Sequence, residues 1–139
     1  MENRHHPERK LGHLLSIPFI YWIAVPAVFW DLSLELYHRI CFPLYGLPLI
    51  ERRRYIKIDR HRLAYLSGLE RINCAYCGYV NGLLAYSVQI VAETERYWCA
   101  IQHAKDPNFR PPAHHTDFTK YADQQALEAR YPAQKHTRS

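Results

Sequence analysis

From Leu14 to Trp30 the chain carries no charge: LLSIPFIYWIAVPAVFW. Such a run must be covered by protein or by lipid. As a helix it would reach about 25 Å, the short limit for a membrane span. Pro18 and Pro26 lie inside it, and Pro26 predicts a kink. Beyond it, Asp31, Glu35 and Arg39 fall at i, i+4 and i+8, on one helical face. Leu32, Leu36, Ile40 and Phe42 supply apolar surface elsewhere on the same amphipathic segment. From Cys41 to Ile50, two prolines and Gly46 predict an extended or turning segment. Basic residues flank the apolar region on both sides, which places both flanks on the cytoplasmic face. Residues 11–50 are too few and too polar for two clean spans. The pattern therefore favours an in-plane or re-entrant anchor over a single span, with Tyr21, Trp22 and Trp30 as interface anchors. The alternative is a soluble chain with a buried hydrophobic hairpin.

Next comes ERRRYIKIDRHR, where Arg52, Arg53, Arg54, Lys57, Arg60 and Arg62 concentrate positive charge. With a net charge of +5, the chain favours anionic partners. Beside an apolar segment, such a cluster reads as a contact with anionic lipid, and nucleic acid is the weaker reading. At 48% hydrophobic and 14% aromatic residues, the sequence is not that of a disordered chain. A P-loop, a dinucleotide-binding glycine motif and a serine nucleophile elbow are all missing from it.

Leu63, Leu66, Leu69 and Ile72 predict a helix over 60–73, and LLAYSVQIVAETERYW predicts another over 83–98. Between them lie Asn73-Cys74-Ala75-Tyr76-Cys77-Gly78-Tyr79 and the turn signal Asn81-Gly82. After them comes Trp98-Cys99-Ala100-Ile101-Gln102-His103. The result is Cys-x2-Cys followed by Cys-x3-His, a ligand set suited to a closed zinc site or a thiolate-held iron. No secretory cleavage signal follows the apolar run, so reduced thiols are expected rather than disulfides. One unbroken helix would set Cys77 and Cys99 about 33 Å apart. A shared site of Cys74, Cys77, Cys99 and His103 therefore requires the chain to double back near Gly78–Gly82. Other arrangements stay open: Cys74 and Cys77 acting alone as a dithiol, a site shared across an antiparallel dimer, or buried thiols with no metal. Cys41 reads as a small buried hydrophobe. Zinc is the first expectation, iron the alternative. Cys-x2-Cys-Gly-Tyr resembles the first knuckle of rubredoxins, but the second knuckle is absent. Glu93, Glu95 and His103 are the available acid–base groups, and four protein ligands would leave no open position for catalysis. His5-His6 and His114-His115 read as solvated pairs in terminal segments. Past His103 the prolines mark a tail, with a weakly patterned helix over 117–130.

The elements Cys41 to Gly46, Tyr55 to Arg60, Cys74 to Gly82 and Thr94 to Ala104 resemble the shared pattern of a family of small bacterial proteins. That pattern runs CxYCxYxNG … TExYWCPIKHA, and here it reads CAYCGYVNG … TERYWCAIQHA. Ala100 stands at the family's proline and Gln102 at its lysine. The resemblance implies a membrane-linked bacterial protein and leaves the chemistry open.

The expected fold is mainly α: a polar N-terminus (1–13), an apolar membrane-anchoring segment (14–50), a basic patch and helical Cys/His domain (51–104), and an irregular tail (105–139). The expected function is a non-catalytic accessory or assembly factor at the cytoplasmic face of the bacterial inner membrane, with a structural Cys3His site. Its expected partners are membrane lipids, a larger membrane complex, or a second copy of itself. The rivals are a metal-free structural subunit of such a complex and an iron-thiolate or dithiol redox carrier.

Overall fold

The computed structural model describes residues 9–131, so the His5-His6 pair lies outside the described residues. The protein is mainly helical and divides into two compact units, Met1–Ile90 and Val91–Ser139.

In the first unit, α1 (Lys10–Trp22) and α2 (Ala24–Tyr45) together make one long apolar helix with a break at Ile23. The break has a simple cause. Pro26 has no N–H for the carbonyl of Trp22, so the ladder lapses there, and Pro26 falls in the first turn of α2, where no donor is needed. Residues 41–45 are helical rather than extended. Pro43 is accommodated inside α2, and the stop comes at Gly46, whose left-handed φ of 72° closes the helix. The Leu47 N–H then donates to the Phe42 carbonyl at 2.8 Å.

A third helix, α3 (Gly68–Trp98), is unbroken. It begins later than the periodicity of 60–73 suggests, because Ser67 and Glu70 form a capping box. Ser67 N–H donates to Glu70 Oε2 at 2.9 Å, and Glu70 N–H donates to Ser67 Oγ at 3.4 Å. Residues 60–62 make only a short 3-10 turn.

The predicted knuckle is therefore absent. Cys74 and Cys77 lie on a continuous helix, and the reversal that a Cys3His site requires at Gly78–Gly82 does not occur. Asn81 and Gly82 make no turn either. The Asn81 side chain donates back to the Cys77 carbonyl at 2.9 Å, within the helix. The two glycines serve a different purpose. A Cβ on Gly82 would stand 2.7 Å from the Tyr55 carbonyl oxygen, and one on Gly78 would stand 3.0 Å from that of Lys57. Both glycines let the chain segment 47–67 lie against the helix.

That segment is a strap. It leaves the end of α2 and runs back along α2 and α3. Ile50 N–H donates to His38 Nε2 at 3.0 Å, and Arg52 clamps Asp31 with both guanidinium nitrogens. Tyr21 pairs with Asn73, Tyr79 with Asp31, and Tyr86 with Glu35 and His38, so the first helix and α3 run in the same direction. Two parallel helices need such a return segment. The core between them is Leu34, Phe42, Leu83, Tyr86 and Ile90, with Tyr55 and Ile56 of the strap packed on it. Each fully buried side chain of this size contributes about 1.5–3 kcal/mol.

The second unit joins the end of α3 to a parallel bridge between Ile101 and Thr119, a 3-10 turn (Ala113–Asp117) and α4 (Gln124–Arg130). Residues 113–130, expected as part of an irregular tail, thus carry regular structure. Asp123 caps α4, its side chain accepting from Ala126 N–H at 3.0 Å.

Candidate metal centre

The second unit brings its ligating groups together by a short chain of local causes. α3 ends at Trp98, and the next residues pair with the segment after the 3-10 turn. Gln102 N–H donates to the Thr119 carbonyl at 2.7 Å, and Thr119 N–H donates to the Ala100 carbonyl at 2.8 Å. Ala100 and Phe118 are buried beneath this pairing. Pro111 and Pro112 hold the chain extended into the turn that carries His114 and His115. The Gln102 side chain donates to the His115 carbonyl at 2.9 Å and fixes the turn from its other side.

The outcome is a cluster of Glu95, His103 and His115, whose ligand atoms all lie within 4.8 Å of one another. The His103 and His115 rings are 5.4 Å apart between centroids. His115 Nε2 lies 3.2 Å from Glu95 Oε2 and 3.1 Å from Oε1, and His114 Nε2 lies 2.8 Å from Oε2. Burial pushes the Glu95 carboxyl up, but hydrogen bonds from His114 and His115 outweigh it and hold the pKa below the usual range.

His115 is only 3% exposed, and its Nδ1 has no hydrogen-bond partner. An ion held by all three side chains would sit between the carboxylate and one ring nitrogen of each histidine, taking the place of the present Glu95–His115 contact. Two imidazoles and one carboxylate can coordinate a divalent cation and leave positions open for a further ligand.

The predicted ligands fare differently. Only His103 belongs to the cluster. All four cysteines are free thiols, and Cys77 and Cys99 are exposed. Among the described residues the only group of three or more metal-competent side chains is Glu95, His103 and His115, with no cysteine in it. This overturns the Cys3His site, and with it the accessory factor defined by that site and the iron-thiolate or dithiol carrier. The thiols are scattered along the chain rather than gathered. The reading of His114-His115 as a solvated pair is corrected as well. The signal for it was available in Pro111-Pro112 before the pair and Phe118 after it, a local pattern for a buried turn. His115 in fact stacks on Phe118 at 4.9 Å.

Of the basic cluster, Arg52 is tied to Asp31 and lies over the Tyr86 ring at 5.7 Å. Arg54 pairs with Glu51, and Lys57 with Asp59. Arg53, Arg54, Lys57, Arg60 and Arg62 are exposed. Trp22 is 73% exposed, whereas Tyr21 packs on Tyr76 at 5.3 Å and Trp30 donates to Ser87 Oγ at 2.8 Å. One helix, Leu11–Tyr45, is long and apolar enough to cross a membrane by length and composition, and nothing in its most apolar window is buried.

Comparison with protein-family models, curated proteins and solved structures returns no match.

Proposed function

We propose that this is a membrane-associated metal-binding protein whose second unit holds one divalent cation on Glu95, His103 and His115. The observation that carries the reading is that ligand atoms of Glu95, His103 and His115 all lie within 4.8 Å of one another around a buried histidine. Zinc suits a two-histidine, one-carboxylate set with an open position, and the same set holds iron in non-haem centres. Zinc is the first choice because it needs no redox partner.

The apolar helix supports the membrane part. Leu11, Leu15, Trp22, Val25, Phe29, Leu32, Leu36, Ile40 and Leu44 recur at helical spacing and are all exposed. The stripe runs for about 50 Å, well beyond the ~30 Å hydrocarbon core. Leu14, Phe19, Ile20, Ile23 and Val28 widen it in the first half, and an apolar surface longer than one crossing fits a helix lying along the interface. Exposed Arg53, Arg60 and Arg62 would meet anionic headgroups of a bacterial membrane.

Elemental analysis of protein purified in detergent without chelator tests the metal. The expected result is about one zinc or iron per chain, with affinity lowered at least about 100-fold in His115→Ala, since losing an outer-shell partner alone costs about 10–100-fold. Metal-free protein that takes up neither ion, or an unchanged affinity in His115→Ala, would overturn the assignment.

A further inference from the structure

The cation site is not closed over. His103 and His115 also form part of the wall of a cleft of about 560 Å³, within the range of small-molecule sites. The rest of that wall has a definite chemistry. Pro111, Pro112 and Phe109 make it apolar, and the prolines make it stiff. The Phe109 ring meets the His103 ring edge-on at 5.1 Å. Lys105 adds one cation to the lining. Asp106 adds an anion, but its Oδ1 is turned back to accept from Asn108 N–H at 2.8 Å.

We propose that this cleft binds a small molecule in which an oxyanion, such as a carboxylate, is attached to an apolar body. The oxyanion would complete the coordination of the cation on Glu95, His103 and His115, with Lys105 as a second positive charge. The apolar body would lie against Phe109 and the two prolines. This rests on the metal reading above and deepens it: the open positions are where an external ligand binds. Hard and borderline cations take oxygen donors readily, which selects the oxyanion. A wall of rings and prolines contributes by excluding water, which selects the body.

The test uses cobalt(II), whose visible bands report its coordination. Cobalt uptake by the full chain in detergent is measured first, because a protein that takes up no cobalt overturns the metal reading itself. The loaded protein is then titrated with benzoate, benzamide and inorganic phosphate. Saturable band changes with benzoate are expected, at least tenfold weaker ones with phosphate, and none with benzamide. Lys105→Gln should weaken benzoate about tenfold, and Phe109→Ala by a similar factor, with cobalt affinity unchanged within twofold. Bound cobalt whose spectrum ignores benzoate would overturn the inference while leaving the metal site standing. Phosphate binding as tightly as benzoate, with Phe109→Ala silent, would remove the apolar body from it.

Discussion

Two clusters, one in each unit, treat their ionisable side chains in opposite ways. In the first, every group on the inner face of α2 is answered. Asp31 takes Arg52 and Tyr79, Glu35 takes Tyr86, and His38 is held between the Ile50 amide and the Tyr86 hydroxyl. In the second, Glu95 accepts from two histidines and still leaves a buried ring nitrogen with nothing to bind. A saturated network holds a fold together, whereas an unsaturated one has capacity left for a ligand. Charge on an apolar helix therefore marks architecture in one part of this chain and chemistry in another. An open nitrogen alone is not the mark, since His61 in the first unit also has an unpartnered, buried Nδ1; in the second unit the open ring stands beside a carboxylate and another histidine.

The sharpest way to test that contrast is to break the first unit and watch the second. Gly82→Leu places carbon against the Tyr55 carbonyl and Ile56 backbone, where there is no room. Overpacking of this kind costs about 3 kcal/mol. Thermal unfolding in detergent should show the loss, and the metal affinity of the folded protein should stay within threefold. A Gly82→Leu protein as stable as the parent would mean that the strap does not lie where the glycines place it.

Arg52→Met is milder. It leaves Asp31, largely enclosed, with Tyr79 as its remaining partner. The clamp is partly exposed, so the cost should be about 2 kcal/mol, below that of a fully buried pair. Removing both charges in Asp31→Asn/Arg52→Met should recover part of it. If the double variant were as unstable as the sum of the singles, the two groups would not be coupled.

Acid should act on the second unit through Glu95. Its carboxyl is held below the usual range in the folded chain, so its contribution is complete above the ordinary carboxylate pKa. That contribution is lost as pH falls through the lowered value. Amide protection over residues 113–118, taken relative to the intrinsic exchange rate at each pH, should fall in that acid window, and Glu95→Gln should flatten the dependence. Protection in this turn that does not change with pH would argue against the tie.

The smallest effect is expected where the sequence pattern is loudest. Cys74→Ser/Cys77→Ser should change metal affinity by less than twofold, since neither thiol joins the cluster. A large loss would return the thiols to the site.

Much of the first unit was legible in the sequence. The apolar run, an interruption near Pro26 and the polar face of Asp31 and Glu35 can all be read from spacing. The role of Gly78 and Gly82 could not be. A glycine needed for a turn and one needed for close approach look alike until the approaching segment is known, and that segment comes from residues 55–57. The knuckle was misread for the same reason: Cys-x2-Cys-Gly is a turn motif only if the chain turns. In the second unit His103 was visible as a ligand, but its partners were not. Glu95 sits on a helix and His115 in a proline-flanked turn, and only the pairing of Ala100 and Gln102 with Thr119 brings them together.

The strap also works as a length gauge. A 3-10 turn advances about 2 Å per residue, and an α-helix about 1.5 Å. Tyr55 and Lys57, two residues apart, meet Gly82 and Gly78, four residues apart in the opposite direction. The two strap residues and the four helical steps they match span about 6 Å along α3. The match holds only for the present number of residues between Ile50 and Lys57. Residues 52–54 form a 3-10 turn, so deleting one of them would slide the carbonyls past the glycines by about one helical position and press them on side chains. Surface connections commonly tolerate changes of length, but along this one the count of residues is itself part of the fit.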